Sequence, residues 1–210
     1  MKSKALFRLQ KNLELAFPLA IAVFAAVLSI NDLFAGRFGS DELQLSNSRN
    51  NAYQWYQAKG IKETMLEGQL ELLESLLLSG AIDKTKIPAV EDVVVDSKQR
   101  IVRYKQEKKE ILIGSKALPK DKWVQDIDGE MGKVVGAKEY DTYLIDLGRA
   151  GDSFDIASML LQICLVIGAI GMIVHRESMK IAFFRITLSA GLIGSLFFSQ
   201  ALWLANQIPY

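Results

Sequence analysis

Apolar residues are concentrated in three stretches that lie on either side of one long polar segment. They are Leu15–Phe34, Ile156–Val174 and Ile181–Leu204. Each has about 19–24 residues, close to the roughly 20 that a helix needs to cross a hydrocarbon core about 30 Å thick. The pattern predicts three transmembrane helices, at 15–34, 155–174 and 181–204, and hence a multi-pass membrane protein in contact with the lipid bilayer.

The positions of the basic residues predict the orientation of these helices. Basic side chains favour the cytoplasmic side of a span. We therefore expect 1–14 and the connection 175–180 to be cytoplasmic, and 35–154 and 205–210 to be extracytoplasmic. The basic residues that decide this are Lys2, Lys4, Arg8 and Lys11 before the first span and Arg176 and Lys180 between the last two.

A cleaved signal peptide is the alternative for the first stretch. Its apolar run is longer than the apolar region of a signal peptide, which usually has about 7–15 residues. Leu33 also occupies a position where a signal-peptide cleavage site requires a small residue. An uncleaved anchor is therefore favoured.

The polar middle of the chain carries helical rather than strand periodicity. Pro88 and Pro119 divide it into segments at about 41–79, 89–117 and 120–153, and Ser79-Gly80 is a typical helix stop. In the first segment, apolar positions recur mostly at threes and fours, which predicts one apolar helix face. These positions are Leu43, Tyr53, Tyr56, Ile61, Met65, Leu66, Leu70, Leu73 and Leu77.

The other two segments are less regular. Val93-Val94-Val95 would also suit a short strand. Asp121 is a plausible N-cap for the third helix, although three glycines, Gly129, Gly132 and Gly136, weaken it.

The fold class predicted is therefore an all-α membrane protein with three transmembrane helices and an extracytoplasmic helical hairpin or coiled-coil-like domain. A loop that returns to its own membrane face needs an even number of long passes. Either the first segment bends near Gly60 or Gly68, or a piece such as 120–132 lies across the other helices.

A thin hairpin buries little apolar surface, so self-association would supply the missing burial. The leucine-rich run 70–78 is one contact for a homo-oligomer. The seam within a single hairpin is an equally good account of the same leucines, and a second membrane or periplasmic protein is the alternative partner.

The segment 51–62 has the least generic composition, because it combines three aromatic residues with amides and bases. Aromatic residues with a polar tip suit a contact with a partner. A membrane-interface anchor and the hairpin seam are the alternatives. The interaction candidates are Tyr53, Trp55, Tyr56, Gln57, Lys59 and Lys62.

The run Tyr53-Gln54-Trp55-Tyr56-Gln57-Ala58-Lys59-Gly60-Ile61-Lys62 resembles the signature Trp-x-Tyr-Tyr-Gln-Ala-Lys-Ser-Ile-Lys of a bacterial membrane family, the domain of unknown function 4337. The stretch 155–162, which begins at an Asp and ends in Leu-Leu-Gln, is similar to the family's approach to its closing spans. Residues 51–54 and Gly60 depart from the pattern. The resemblance implies an inner-membrane location in bacteria and this architecture, with no catalytic residues to carry over.

Four carboxylates, Glu63, Glu67, Glu71 and Glu74, share one helical face. Such spacing can bind a divalent cation when histidine joins it. The sole histidine, His175, is predicted on the opposite side of the membrane. A solvated face supported by pairing of Lys59 with Glu63 is therefore favoured.

Two amides lie inside the spans, Gln162 and Gln200. They predict either a pore lining or hydrogen bonds between helices. Small residues four apart, such as Ala190 and Gly194, indicate close helix packing in the same spans.

Composition and motifs mainly exclude kinds of partner and chemistry. The formal net charge of +1 gives no indication of a nucleic-acid partner, and the single cysteine, Cys164, cannot form an intramolecular disulfide. No catalytic, metal-binding or cofactor-binding motif is present, so neither an enzyme nor a cofactor is predicted.

The leading hypothesis for the function is a self-associating structural or accessory component. The alternative is a small oligomeric channel or transport subunit lined by the second and third spans.

Overall fold

The computed structural model describes the backbone of residues 2–207 and the side chains of residues 14–207. Four helices dominate this part of the chain: α1 (Lys2–Leu78), α2 (Ile87–Ile113), α3 (Ala137–Ile173) and α4 (Glu177–Ala205). Two short strands, β1 (Asp126–Ile127) and β2 (Glu130–Met131), and two single-turn 3-10 helices lie between α2 and α3. The chain forms two compact units. The three-helix unit comprises residues up to Leu43 and from Leu144, and the hairpin unit comprises Gln44–Tyr143.

The three-helix unit is built from parts of α1, α3 and α4, and each of these helices is long and apolar enough to cross a membrane. Its core centres on Phe24, Leu161 and Cys164. Gly191 allows close packing there, because a Cβ at this position would lie 2.4 Å from the Phe24 ring. Side chains therefore fill the interior around Phe24 and Leu161.

In the hairpin unit, α1 and α2 pack antiparallel, as shown by ion pairs that join Glu63 to Lys108 and Glu74 to Lys98. The sequence-predicted stop is confirmed, since α1 ends at Leu78 and Gly80 has a φ of 69°. The valine triplet 93–95 lies inside α2, so its strand alternative is wrong. An apolar residue on each turn can pack against α1 only if the segment is helical.

The predicted helix beginning at Asp121 is wrong. Residues 120–136 form a 3-10 turn and a small antiparallel hairpin in which Asp126 pairs with Met131, and α3 begins only at Ala137. Asp128 and Gly129 both have positive φ, 54° and 82°, as a tight hairpin turn requires. Meanwhile α1 continues through Gly60 and Gly68 without a break. The irregular segment between the long helices is therefore 114–136.

A single buried carboxylate organises this irregular segment. Glu110 is 0 % exposed, and its Oε2 accepts hydrogen bonds from the backbone N–H groups of Val124 and Gln125 at 2.8 and 2.9 Å. Its Oε1 accepts a third from the Ser115 hydroxyl at 2.7 Å. Three donors satisfy the charge that burial would otherwise penalise. The end of α2 thereby fixes residues that have no regular structure of their own.

Candidate functional site

The aromatic and basic cluster at 53–62 is divided between contacts inside the hairpin unit and exposed positions. The Tyr53 hydroxyl donates to Asp141 at 2.6 Å, and this hydrogen bond is the main cause that raises the pKa of Tyr53. Lys59 pairs with Glu107 and lies 5.6 Å from the ring centroid of Tyr104. The side chains of Tyr53 and Lys59 therefore make contacts that stabilise the hairpin unit.

The remaining members are placed differently. The Tyr56 ring lies 5.3 Å from the Lys108 ammonium, so Tyr56 also contributes to the hairpin seam. Gln57 and Lys62 are exposed. The six candidates therefore do not form one continuous surface.

Trp55 lines an open groove of about 320 Å³ in the hairpin unit. Ile127, Val134 and Tyr140 form its apolar wall, with Asn51 also in the lining. Burial is the main cause that raises the pKa of Tyr140. The groove can accept a small apolar or aromatic group.

The acidic series was predicted to be a solvated face supported by pairing of Lys59 with Glu63, and this is wrong for Glu63. Glu63 is only 8 % exposed, and its Oε2 accepts a hydrogen bond from the Lys108 ammonium at 2.8 Å. Lys59 pairs with Glu107 rather than with Glu63. Glu67 and Glu74 also pair with α2, at 2.9 Å from Lys105 and 2.8 Å from Lys98, but their side chains remain 42 % exposed. Glu71 is exposed. Glu63, Glu67 and Glu74 thus form a row of ion pairs with lysines of α2, which we call the ionic seam.

The opposite side of α1 in this unit carries an apolar surface that nothing in the described chain covers. We call it the outer stripe. Its large side chains are well exposed, with Ile61 and Met65 at 61 % and Leu72 at 62 %. Spacings of three and four residues place its members on one helix face. They are Ala58, Ile61, Met65, Gly68, Leu72 and Leu76, all of them exposed.

Helical periodicity predicted one apolar face in this part of α1, whereas the structure has two. Ile61 and Met65 were predicted on the same face as four leucines that are partly buried, namely Leu66, Leu70, Leu73 and Leu77. The signal that separates the two was present, because the series 58, 61, 65, 68, 72 has its own spacing of three and four. The leucine-rich run 70–78 therefore contributes residues both to the outer stripe and to the inward-facing side of α1.

In the three-helix unit, both predicted amides, Gln162 and Gln200, are exposed on the outer surface. The amide that lies inside is Asn31, which is 0 % exposed. Its Nδ2 donates to the Phe154 carbonyl at 3.2 Å and to the Ser158 hydroxyl at 2.8 Å. Asn31 was not predicted from the sequence, because its partners Phe154 and Ser158 lie 123 and 127 residues away along the chain.

Little in the described residues suggests chemistry. Among them, no group of three or more histidine, cysteine, aspartate or glutamate side chains could hold a metal ion. The Cys164 thiol is buried and donates to the Thr187 carbonyl at 3.2 Å, as expected of a packing residue. The features that stand out are surfaces, namely the outer stripe and the groove beside Trp55.

These observations define the class: an all-helical protein with three helices that are long and apolar enough to cross a membrane. The chain belongs to the family described as Domain of unknown function (DUF4337), whose family model matches residues 14–204. This confirms the resemblance carried by the 53–62 signature. No curated protein matches the chain. No solved structure matches it either.

Proposed function

We propose that this chain is a multi-pass protein of the bacterial inner membrane that acts as a self-associating structural or accessory component. In this proposal 15–34, 155–174 and 181–204 cross the membrane, the N-terminus is cytoplasmic, and the hairpin unit lies on the extracytoplasmic side. The protein works through protein contacts and catalyses no reaction.

The outer stripe is the observation that carries this proposal. Isolated exposed apolar residues are ordinary, but a contiguous apolar patch on a soluble unit marks an interaction surface. Four large side chains on one helix face, Ile61, Met65, Leu72 and Leu76, are between 37 and 62 % exposed. Covering them would gain roughly 25 cal/mol for each Å² of apolar surface removed from water.

The residues that flank the stripe favour a second copy of the chain as its partner. Copies anchored in one membrane with the same topology present α1 in the same direction, so the pairing would be parallel. In a parallel pair, Gln57 of one copy lies opposite Lys62 of the other, and Thr64 lies opposite Gln69. No like charges meet in these two pairs, because most of the carboxylates of this helix segment face α2.

The mass of the purified particle tests the proposal. We expect light scattering corrected for detergent to give an oligomer for the natural chain and a monomer for Leu72→Asp. Val102→Asp is the matched control, since Val102 is 55 % exposed on α2 and lies outside the stripe. A monomeric natural chain, or equal dissociation by the control, would contradict the proposal.

A channel or transport subunit is the second candidate, and the outward position of Gln162 and Gln200 favours it. The interior of the three-helix unit is filled around Phe24 and Leu161, so a pathway would have to lie between copies. Ion flux in liposomes that changes with Gln162→Leu or Gln200→Leu would support this function. Absence of flux from an intact oligomer would remove it.

A further inference from the structure

One exposed face of α3 contains a single amide among apolar residues. Six exposed residues recur at intervals of four and three, which places them in one seam along the helix. Past Asp155, Gln162 is the only polar member of the series. The seam consists of Asp155, Met159, Gln162, Val166, Ala169 and Ile173.

Gln162 lies farther from the ends of its predicted transmembrane helix than the other two amides, Asn31 and Gln200, lie from the ends of theirs. It lies seven residues past Asp155, about 10 Å along the helix at 1.5 Å per residue, and eleven residues before Ile173. Gln200 is only four residues, about 6 Å, from the end of its apolar stretch at Leu204, so water at the boundary can reach it. Asn31 has partners within the chain.

Gln162 therefore has no evident source of hydrogen bonds. Within the part of α3 that the structure describes, the side-chain hydrogen bonds past Gly151 involve Ser153, Ser158 and Cys164. An amide facing hydrocarbon without a partner is costly, and polar side chains in membranes usually meet a partner on another helix.

We infer that Gln162 is the membrane-embedded contact between two copies of this chain, in which the two amides hydrogen-bond each other across the α3 seam. The inference rests on the proposed self-association and assigns its membrane part. A second copy fits because its Gln162 stands at the same depth, and an amide carries both donor and acceptor groups. Ala169 lies on the same seam and permits close approach. A different protein would need its own polar group at this depth.

Single-cysteine crosslinking in membrane vesicles tests the contact. The background is a Cys164→Ala chain whose oligomer has the same mass as that of the natural chain. In this background, we expect oxidation to link Gln162→Cys into covalent dimers, and Ala169→Cys likewise. Met172→Cys is the control, because Met172 is also exposed but lies about 80° around the helix from Gln162. Crosslinking at 172 equal to that at 162, or attachment of 162 to another protein, would overturn the inference. Labelling of the 162 thiol by a membrane-impermeant maleimide would overturn it too, since it would place the residue in a water-filled pathway.

The strength of the association supplies a second readout. Gln162→Leu is expected to weaken dimerisation in lipid about three- to twenty-fold, the range measured for interhelical hydrogen bonds in membranes. Gln200→Leu is the matched control and should leave it unchanged. A monomeric natural chain would overturn both this inference and the proposed function. An oligomeric natural chain that is unaffected by Gln162→Leu, with no crosslink at 162, would overturn the Gln162 contact alone.

Discussion

The Lys108 ammonium lies 2.8 Å from the Glu63 carboxylate and 5.3 Å from the centroid of the Tyr56 ring. One side chain of α2 thus contacts two side chains of α1 that are seven residues apart. The Glu63 side chain is only 10 % exposed, so this pair is far less solvated than the pair of Lys98 and Glu74. The ionic seam consequently contains both structural and surface interactions.

The difference in burial predicts different effects of removing each lysine. Lys108→Met should reduce the free energy of unfolding by about 1–3 kcal/mol, because it leaves a nearly buried carboxylate short of a donor. Lys98→Met should cost less than about 0.5 kcal/mol, since exposed ion pairs contribute little. Denaturation of the full chain in detergent, followed by circular dichroism, compares the two. Equal losses would contradict the role assigned to Lys108.

Stability should fall at alkaline pH. The hydrogen bond to Glu63 is the main cause that raises the pKa of Lys108, and Glu67 raises the pKa of Lys105 in the same way. A raised folded-state pKa contributes stability below the unfolded value, about 10.4, which is lost as pH rises through the folded value. Melting temperatures between about pH 8 and pH 12, the range over which lysine titrates, should decline less steeply for Lys108→Met than for the natural chain. Parallel profiles would show that other groups control the decline.

Glu110 should be needed for the order of residues 114–136. Glu110→Ala removes the acceptor of two backbone N–H groups and of the Ser115 hydroxyl. The expected loss is about 2–4 kcal/mol, since hydrogen bonds to a charged group are stronger than neutral ones. Hydrogen exchange at Val124 and Gln125 measures it locally. Glu130→Ala is the control because Glu130 makes only a surface pair with Lys133, and similar exchange in both variants would count against the assignment.

Gly114 should not tolerate alanine. Its φ is 85°, and a Cβ there would lie 1.6 Å from Glu139 Oε1 and 2.9 Å from the Gly136 backbone nitrogen. Gly114→Ala should destabilise the hairpin unit by about 1–3 kcal/mol from the left-handed backbone and the displaced Glu139. Gly148→Ala, inside α3 with nothing within 4 Å of its Cβ position, should instead stabilise by up to about 1 kcal/mol. Thermal unfolding of the two variants distinguishes these signs, and a stable Gly114→Ala chain would disprove the argument.

The sequence by itself determined the three long apolar helical stretches. Apolar stretches long enough to span a bilayer are local features, and α1, α3 and α4 contain all three of them. The stop after Leu78 was equally local, because Gly80 adopts a positive φ that glycine accepts most readily. Membership of the family was readable from the short signature at 53–62, which the family match over 14–204 confirms.

Only the tertiary structure decided which helix faces are covered and which polar groups are paired. Periodicity shows that Glu63, Glu67 and Glu74 share a face, but lysines on another helix determine that this face is the seam. The fold of 114–136 likewise depends on the Glu110 carboxylate, which lies outside that segment in sequence. The outer stripe is exposed for the same reason, since α2 packs on the other side of α1. A helix pattern defines faces, whereas contacts between residues distant in sequence decide what each face meets.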